Sequence, residues 1–301
     1  MEFLLNQRYL STLFRLFGRL CAPPVAHPAE ALIINLLRTH PHTPLIRGAR
    51  ANQWVIHGGE LGGEELERAA WSVMRHAVHS VLDLNYIVHR PEALARLLPL
   101  TPRVQALIKR SQEGREGLMV VLPHLSNFDL ALMATAQRGL RARLLTLATP
   151  NISQKIQNRQ RAHSGLEVNP ISPAVVRQGI EYMRHGGVVI TAVDRPVPGK
   201  ERTLDFFGHP APLPAGHVRM AMAAGVPVVV IAISMRLDGT YRLRVSEPLP
   251  MVSCPDKVEA VRHNAQSVLQ VLESYIRRTP RQWLMFHPVW PTLPAPEACV
   301  N

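Results

Sequence analysis

The sequence predicts an α/β fold: a single domain with a mixed β-sheet flanked by helices and a helical N-terminal annex. Three observations carry that expectation. Short apolar runs of strand length alternate with longer helical patterns, the rhythm of strand–helix–strand units. Two neighbouring strands are joined by Leu237-Asp238-Gly239-Thr240, a hairpin signal that requires one antiparallel pair. Apolar residues make up 47% of the 301, enough to fill a large core.

The elements follow in order. Residues 3–21 place Leu10, Leu13, Phe14, Phe17 and Leu20 on one helical face and Arg8, Ser11, Thr12, Arg15 and Arg19 on the other. Three arginines within the apolar run argue against a membrane-spanning helix and against a signal peptide. A basic amphipathic helix suits a membrane interface, and it equally suits packing on its own domain. Pro23, Pro24 and Pro28 break the chain, and residues 1–22 are set apart from a domain spanning 23–301, with its core at about 60–290. Helical patterns cover 29–38, 63–87 and 101–112. His76 and His79 lie on the second of these, near His89; without a further ligand at suitable spacing they read as ordinary helix residues, and no metal is expected.

Leu118–Leu122 is an apolar run of buried-strand length, ended by Pro123, which has no N–H for a ladder. Ser126 or Asn127 caps a helix through Leu130, Met133 and Ala134 towards Gly139. Strands follow at 142–148, 166–171 and 187–193, with helices at 153–164 and from Ser172-Pro173 through His185. Two more strands, 226–235 and 241–245, precede a long helix at 256–278.

Lys and Arg exceed Asp and Glu by 34 − 22 = 12, which favours an anionic partner, either nucleic acid or a membrane surface. Nucleic acid is the weaker choice, because aromatic residues are 5% and no base-reading module is present. Cys21, Cys254 and Cys299 are too far apart and too few for a disulfide framework or a zinc site.

Chemistry concentrates at the strand-to-helix turn. His124 and Asp129 form a His-x4-Asp spacing in which the carboxylate can hold one imidazole nitrogen while the other takes a proton. The alternative makes Asp129 a first-turn carboxylate serving the helix dipole. Asp194 and Arg195 end the strand 187–193; if that strand is parallel to 118–122, both reach the edge that carries His124. Arg159 and Arg161 can bind a carboxylate, a phosphate or a developing oxyanion, or form a solvated basic face. Phe206, Phe207 and Gly208 open a proline-rich loop, where paired aromatics either wall an apolar pocket or plug the core.

Taken together, His124-x4-Asp129 after an apolar strand, Arg161-x3-Gly165, Asp194, Phe206-Phe207-Gly208, Gly216 and the terminal Gln282-Trp283-Leu284-Met285-Phe286-His287 resemble the bacterial lipid A biosynthesis acyltransferases of the lysophospholipid acyltransferase superfamily. The likeness runs from about residue 60 to residue 290. Two features depart from it. Asp129 stands where those enzymes usually carry Glu, Asp being the choice of the glycerolipid and related mannoside acyltransferases, and a basic amphipathic segment replaces the usual N-terminal span.

The resemblance implies acyl transfer from a thioester, on acyl carrier protein or coenzyme A, to a hydroxyl of a glycolipid or phospholipid, with no metal or redox cofactor. In that expectation His124 is the general base, Asp129 orients it, and Arg161, or else Arg159, binds phosphate or the oxyanion. Asp194 positions that arginine or the acceptor, and Arg195, Phe206, Phe207 and Gly208 help to bind substrate. With the amphipathic segment in place of the family's span, the expected attachment at the cytoplasmic face of the bacterial inner membrane is peripheral or monotopic. The alternative is a non-catalytic peripheral lipid-binding protein of the same fold.

Overall fold

The computed structural model describes residues 23–196 and 203–293; the amphipathic segment 3–21 lies outside them. Five strands run parallel because helices cross between them: β1 (Leu118–Leu122), β2 (Arg143–Thr146), β3 (Glu167–Pro170), β4 (Val188–Ala192) and β7 (Val228–Met235). The predicted hairpin adds β8 (Tyr241–Val245) antiparallel to β7, and the sheet order is β3-β2-β4-β1-β7-β8. The sheet is therefore mixed, as the Asp238-Gly239 turn requires. β5 (Leu204–Phe206) and β6 (His209–Ala211) form a small separate hairpin.

The central strand is buried on both sides, which is why it reads as an unbroken apolar run. Met119 and Val121 enter one core, shared with helices α8 (Pro173–Arg184), α9 (Gly216–Ala224) and α10 (Lys257–Arg278). Leu118, Val120 and Leu122 enter the other, against α4 (Pro91–Leu97), α5 (Pro102–Glu113), α6 (Phe128–Gln137) and the end of α3 (Gly63–Ile87). α1 (Pro23–Arg38) and α2 (Pro44–Ile56) pack on α3 through Ile34, Ile46, Trp71 and Met74. α7 (Ile152–His163) contributes no fully buried side chain. Among the described residues no helix is long and apolar enough to cross a membrane.

α2 escaped the sequence pattern because its inner face is polar. Thr43 caps it and Pro44 starts it, but Arg50, Asn52 and Gln53 are buried alongside Ile46 and Val55. Asn52 donates to the carbonyls of Met285 and His287 and accepts from the Val289 amide; Gln53 donates to the Pro280 carbonyl. The helix thus clamps the C-terminal segment, which explains why its face is not apolar. Gly48 permits the approach, since a Cβ there would lie 2.0 Å from the Phe286 carbonyl oxygen. The proline-rich loop expected to open at Phe206-Phe207-Gly208 is instead the β5–β6 hairpin followed by the start of α9.

His76 and His79, read from sequence as ordinary helix residues, belong to a buried polar network. Glu30 of α1 bonds His79 Nδ1 at 3.0 Å, and Asp83 lies 3.2 Å from His79 Nε2. Tyr241 donates its hydroxyl to Asp83 at 2.7 Å, Asn127 donates to the Ser80 carbonyl, and His76 Nε2 bonds Ser126 Oγ at 2.8 Å. Burial opposes the charge on His79, but hydrogen bonds and attraction from Asp83 and Glu30 outweigh it and raise the pKa from 6.5 to about 10. For His76, burial and then the charge of His79 lower it to about 4, against a smaller opposing pull from Asp83.

These opposite shifts give opposite pH dependences. His79 binds more protons folded than unfolded, so its contribution is complete below pH 6.5 and is lost as pH rises towards 10. Folding keeps His76 neutral, so stability falls as pH drops from 6.5 towards 4. The margin of the parent over His79→Gln should therefore shrink on the alkaline side, by on the order of 1 kcal/mol per pH unit at most. The margin over His76→Gln should shrink on the acid side. Denaturant unfolding across pH 5–9 checks both; parallel curves for parent and variants would refute the assignment.

Candidate active site

Because β1 and β4 are parallel with Leu122 opposite Ala192, the two residues that follow each strand leave the sheet side by side. His124 and Asp194 occupy those positions. The His124 amide donates to Asp194 Oδ2 at 2.8 Å, and its ring Nδ1 lies 2.7 Å from Asp194 Oδ1. The Trp283 indole donates to Oδ2 at 2.8 Å. Asp194 has no exposed surface. Burial opposes its charge, yet the His124 charge and the hydrogen bonds from His124 and Trp283 hold its carboxyl below the usual range. A carboxylate facing Nδ1 fixes the tautomer with hydrogen there, so Nε2 is the nitrogen able to take a proton.

This corrects the expected pairing. Sequence spacing gives Asp129 to His124; in the structure Asp129 belongs to Arg161. Asn127, not Ser126, caps α6 and accepts from the Leu130 amide. Asp129, in the first turn, receives Arg161 Nε and Nη2 on Oδ1, both at 2.6 Å, with both side chains nearly buried. Arg161 also donates to Asn158 Oδ1 at 3.0 Å. The roles expected of the two carboxylates are thus exchanged: Asp194 holds the imidazole and Asp129 holds the arginine. Phe128 joins the two pairs, its ring edge-on to His124 at 5.1 Å and 5.9 Å from the Arg161 guanidinium.

The other candidates divide. Arg159 is exposed on α7, away from that pair. Arg195 is half-buried directly after Asp194. Phe206 and Phe207 are buried with Trp283 and Trp290 in an aromatic cluster, ring centroids 4.8–6.2 Å apart, so they plug the core behind Asp194. Gly208 makes the tight β5–β6 turn at φ +79°. Gly165 ends α7 at φ +104°, a conformation that favours glycine.

The turn itself is held by a segment whose role the spacing of motifs did not reveal. The Ser126 amide donates to the Gln282 carbonyl at 2.7 Å and the Leu284 amide to the His124 carbonyl at 2.7 Å. The terminal Gln282–His287 motif thus pairs with the His124 turn like a short strand. Ser126 is held at φ +50°, a left-handed conformation unusual for serine.

On the opposite face of the sheet from the aromatic cluster lies a small apolar pocket. Pro123 and Phe128, flanking His124, line it, and it continues past Ala131, Leu132 and Thr135 to Leu140. From Phe128 to Thr135 it follows α6 for about 10 Å. A proton acceptor therefore stands beside a pocket with an apolar lining.

A search of curated proteins found no match to this chain. The sequence profile of the bacterial lipid A biosynthesis acyltransferases matches residues 105–292, from within α5 to just beyond Trp290, and this span contains the whole sheet. Family members are membrane-associated and transfer an acyl group from a thioester to a lipid acceptor. With more than half its length in that match, the chain belongs to the bacterial lipid A biosynthesis acyltransferase family.

Proposed function

We propose that this protein moves a fatty acyl chain from an acyl thioester, on acyl carrier protein or coenzyme A, to a hydroxyl of a membrane glycolipid or phospholipid. It does so at the cytoplasmic face of the bacterial inner membrane, with no metal or redox cofactor. The observation that carries this reading is the His124 imidazole, backed by buried Asp194, beside an apolar cavity.

His124 Nε2 takes the proton of the acceptor hydroxyl as its oxygen attacks the thioester carbonyl carbon. The carbonyl electron pair moves to oxygen and gives a tetrahedral oxyanion. Its collapse re-forms the C=O bond and breaks the C–S bond, and the departing thiolate takes the proton back from the imidazolium. His124 ends neutral. Asp194 keeps the reactive tautomer and stabilises the imidazolium, the division of labour seen in hydrolytic triads, with substrate as nucleophile. Arg161, aimed by Asp129 and close to Phe128, supplies positive charge for the oxyanion or for an acceptor phosphate. The cavity receives the acyl chain.

Two sets of variants test this reading. Asp194→Asn should lower turnover by roughly 10³–10⁴-fold, because an amide cannot stabilise the imidazolium. Arg161→Ala should cost roughly 10²–10³-fold, and Asp129→Asn less, because Asp129 acts through the arginine. Arg159→Ala should stay near the parent. Turnover of a long-chain thioester by folded variants gives the ranking, with His124→Ala as the inactive reference; Asp129→Asn falling below Asp194→Asn would reverse the assigned roles.

The cavity has its own test. Ala131→Leu fills space opposite Val120 and Leu122, and it should shift donor preference to shorter chains. The expected change in the ratio of kcat/KM values is roughly tenfold. An unchanged ratio would place the acyl chain elsewhere.

A further inference from the structure

We infer that the carboxyl-terminal edge of the sheet is a docking surface for an anionic lipid bilayer, an inference that rests on the acyl-transfer reading for why such a surface exists. Large exposed apolar side chains are few among the described residues, and half of the eight stand at this edge. Leu147 and Ile171 directly follow β2 and β3, where Thr146 pairs with Pro170, and are 40% and 39% exposed. Ile152 begins α7 at 51% exposure, and Leu237 tips the β7–β8 hairpin, fully exposed. The parallel register puts all four at the edge that carries His124 and Asp194.

Their distribution selects the partner. From β3 to β7 they span four strand spacings, about 19 Å. A planar surface can meet all of them, whereas a peptide would need a continuous channel. Lys155 and Arg159 follow Ile152 at three and seven residues, so they share its face of α7 and are exposed. Cations around scattered apolar side chains, on a chain of net charge +12, are complementary to anionic headgroups. The cavity is lined at this edge by Pro123 and Phe128, so an acyl chain or a lipid acceptor would reach His124 from the layer on which the protein rests. Two of the other exposed apolar residues, Val252 and Val258, lie towards the opposite edge, after β8 has run back from the hairpin. Leu32 and Leu36 are on α1.

The experiment is co-sedimentation of the full-length protein with phosphatidylcholine vesicles, with and without phosphatidylglycerol. Partitioning onto the phosphatidylglycerol vesicles should fall roughly tenfold or more in Leu147→Asn/Ile152→Asn/Ile171→Asn. Val252→Asn/Val258→Asn should bind like the parent. Lys155→Glu/Arg159→Glu should bind more weakly at low salt, the gap closing as salt rises.

Parent-like binding by the triple variant, an equal loss in the control pair, or indifference of the parent to phosphatidylglycerol would each overturn the proposal. So would a triple variant that turns a dimer into a monomer while binding vesicles normally, since the edge would then join two copies. Binding needs no turnover, so the two readings fail separately. A parent that docks through this edge but transfers no acyl group from any thioester overturns the proposed reaction and supports the docking surface.

Discussion

A carboxylate without exposed surface depends on its donors, and Asp194 is the group around which this protein is arranged. It takes hydrogen bonds from the His124 amide, the His124 ring and the Trp283 indole. Removing one partner of a buried charge costs several kcal/mol, because the remaining charge is uncompensated. The strand end, the following turn and the C-terminal segment are therefore held together. The clamp of α2 on Met285, His287 and Val289 and the aromatic packing around Trp283 are supports for that arrangement. The Gln282–His287 segment, largely apolar in sequence, is in three dimensions part of the site's wall.

The two carboxylates near His124 have separate electrostatic tasks. Asp194 faces the imidazole and keeps a proton on Nδ1, whereas Asp129 faces Arg161, whose guanidinium lies 5.9 Å from the Phe128 ring. The second pairing matters more because α7 has no fully buried side chain of its own. Its position depends on polar ties: Arg161 to Asp129, Asn158 to Thr146, and the Asn151–Gln154 capping box. A helix attached through an ion pair can hold a charge close to the His124 turn and still leave its outer face in solvent.

The turn between β1 and α6 carries strain and is braced from two sides. Ser126, left-handed, is bonded through its hydroxyl to His76 and through its amide to Gln282. Strained residues persist where surroundings over-determine them, which is common next to reacting groups. Here the His76 side of the bracing leads to a network reaching Tyr241 and Glu30, so α1 and the hairpin end of the sheet both bear on the His124 turn.

Much of this protein was determined locally and is legible in its sequence. Burial makes β1 a continuous and β4 and β7 near-continuous apolar runs, an Asp-Gly turn forces β8 to return antiparallel, and Pro-led, Ser- or Thr-capped starts mark several helices. The turn that carries His124, and the edge that Asp194 reaches, follow from the same logic. What tertiary structure alone decided is which polar group meets which. Asp129 is five residues from His124, but the start of α6 turns it towards Arg161. Asp194 is seventy residues away, and the β1–β4 register brings it within 2.7 Å. α2 was hidden for a related reason: its buried face carries Arg50, Asn52 and Gln53, whose partners, Glu67 and the C-terminal backbone, become neighbours only on folding. Apolar burial is a property of a segment and leaves a periodic trace. A hydrogen bond is a property of two segments, and its partner is settled when the sheet register is.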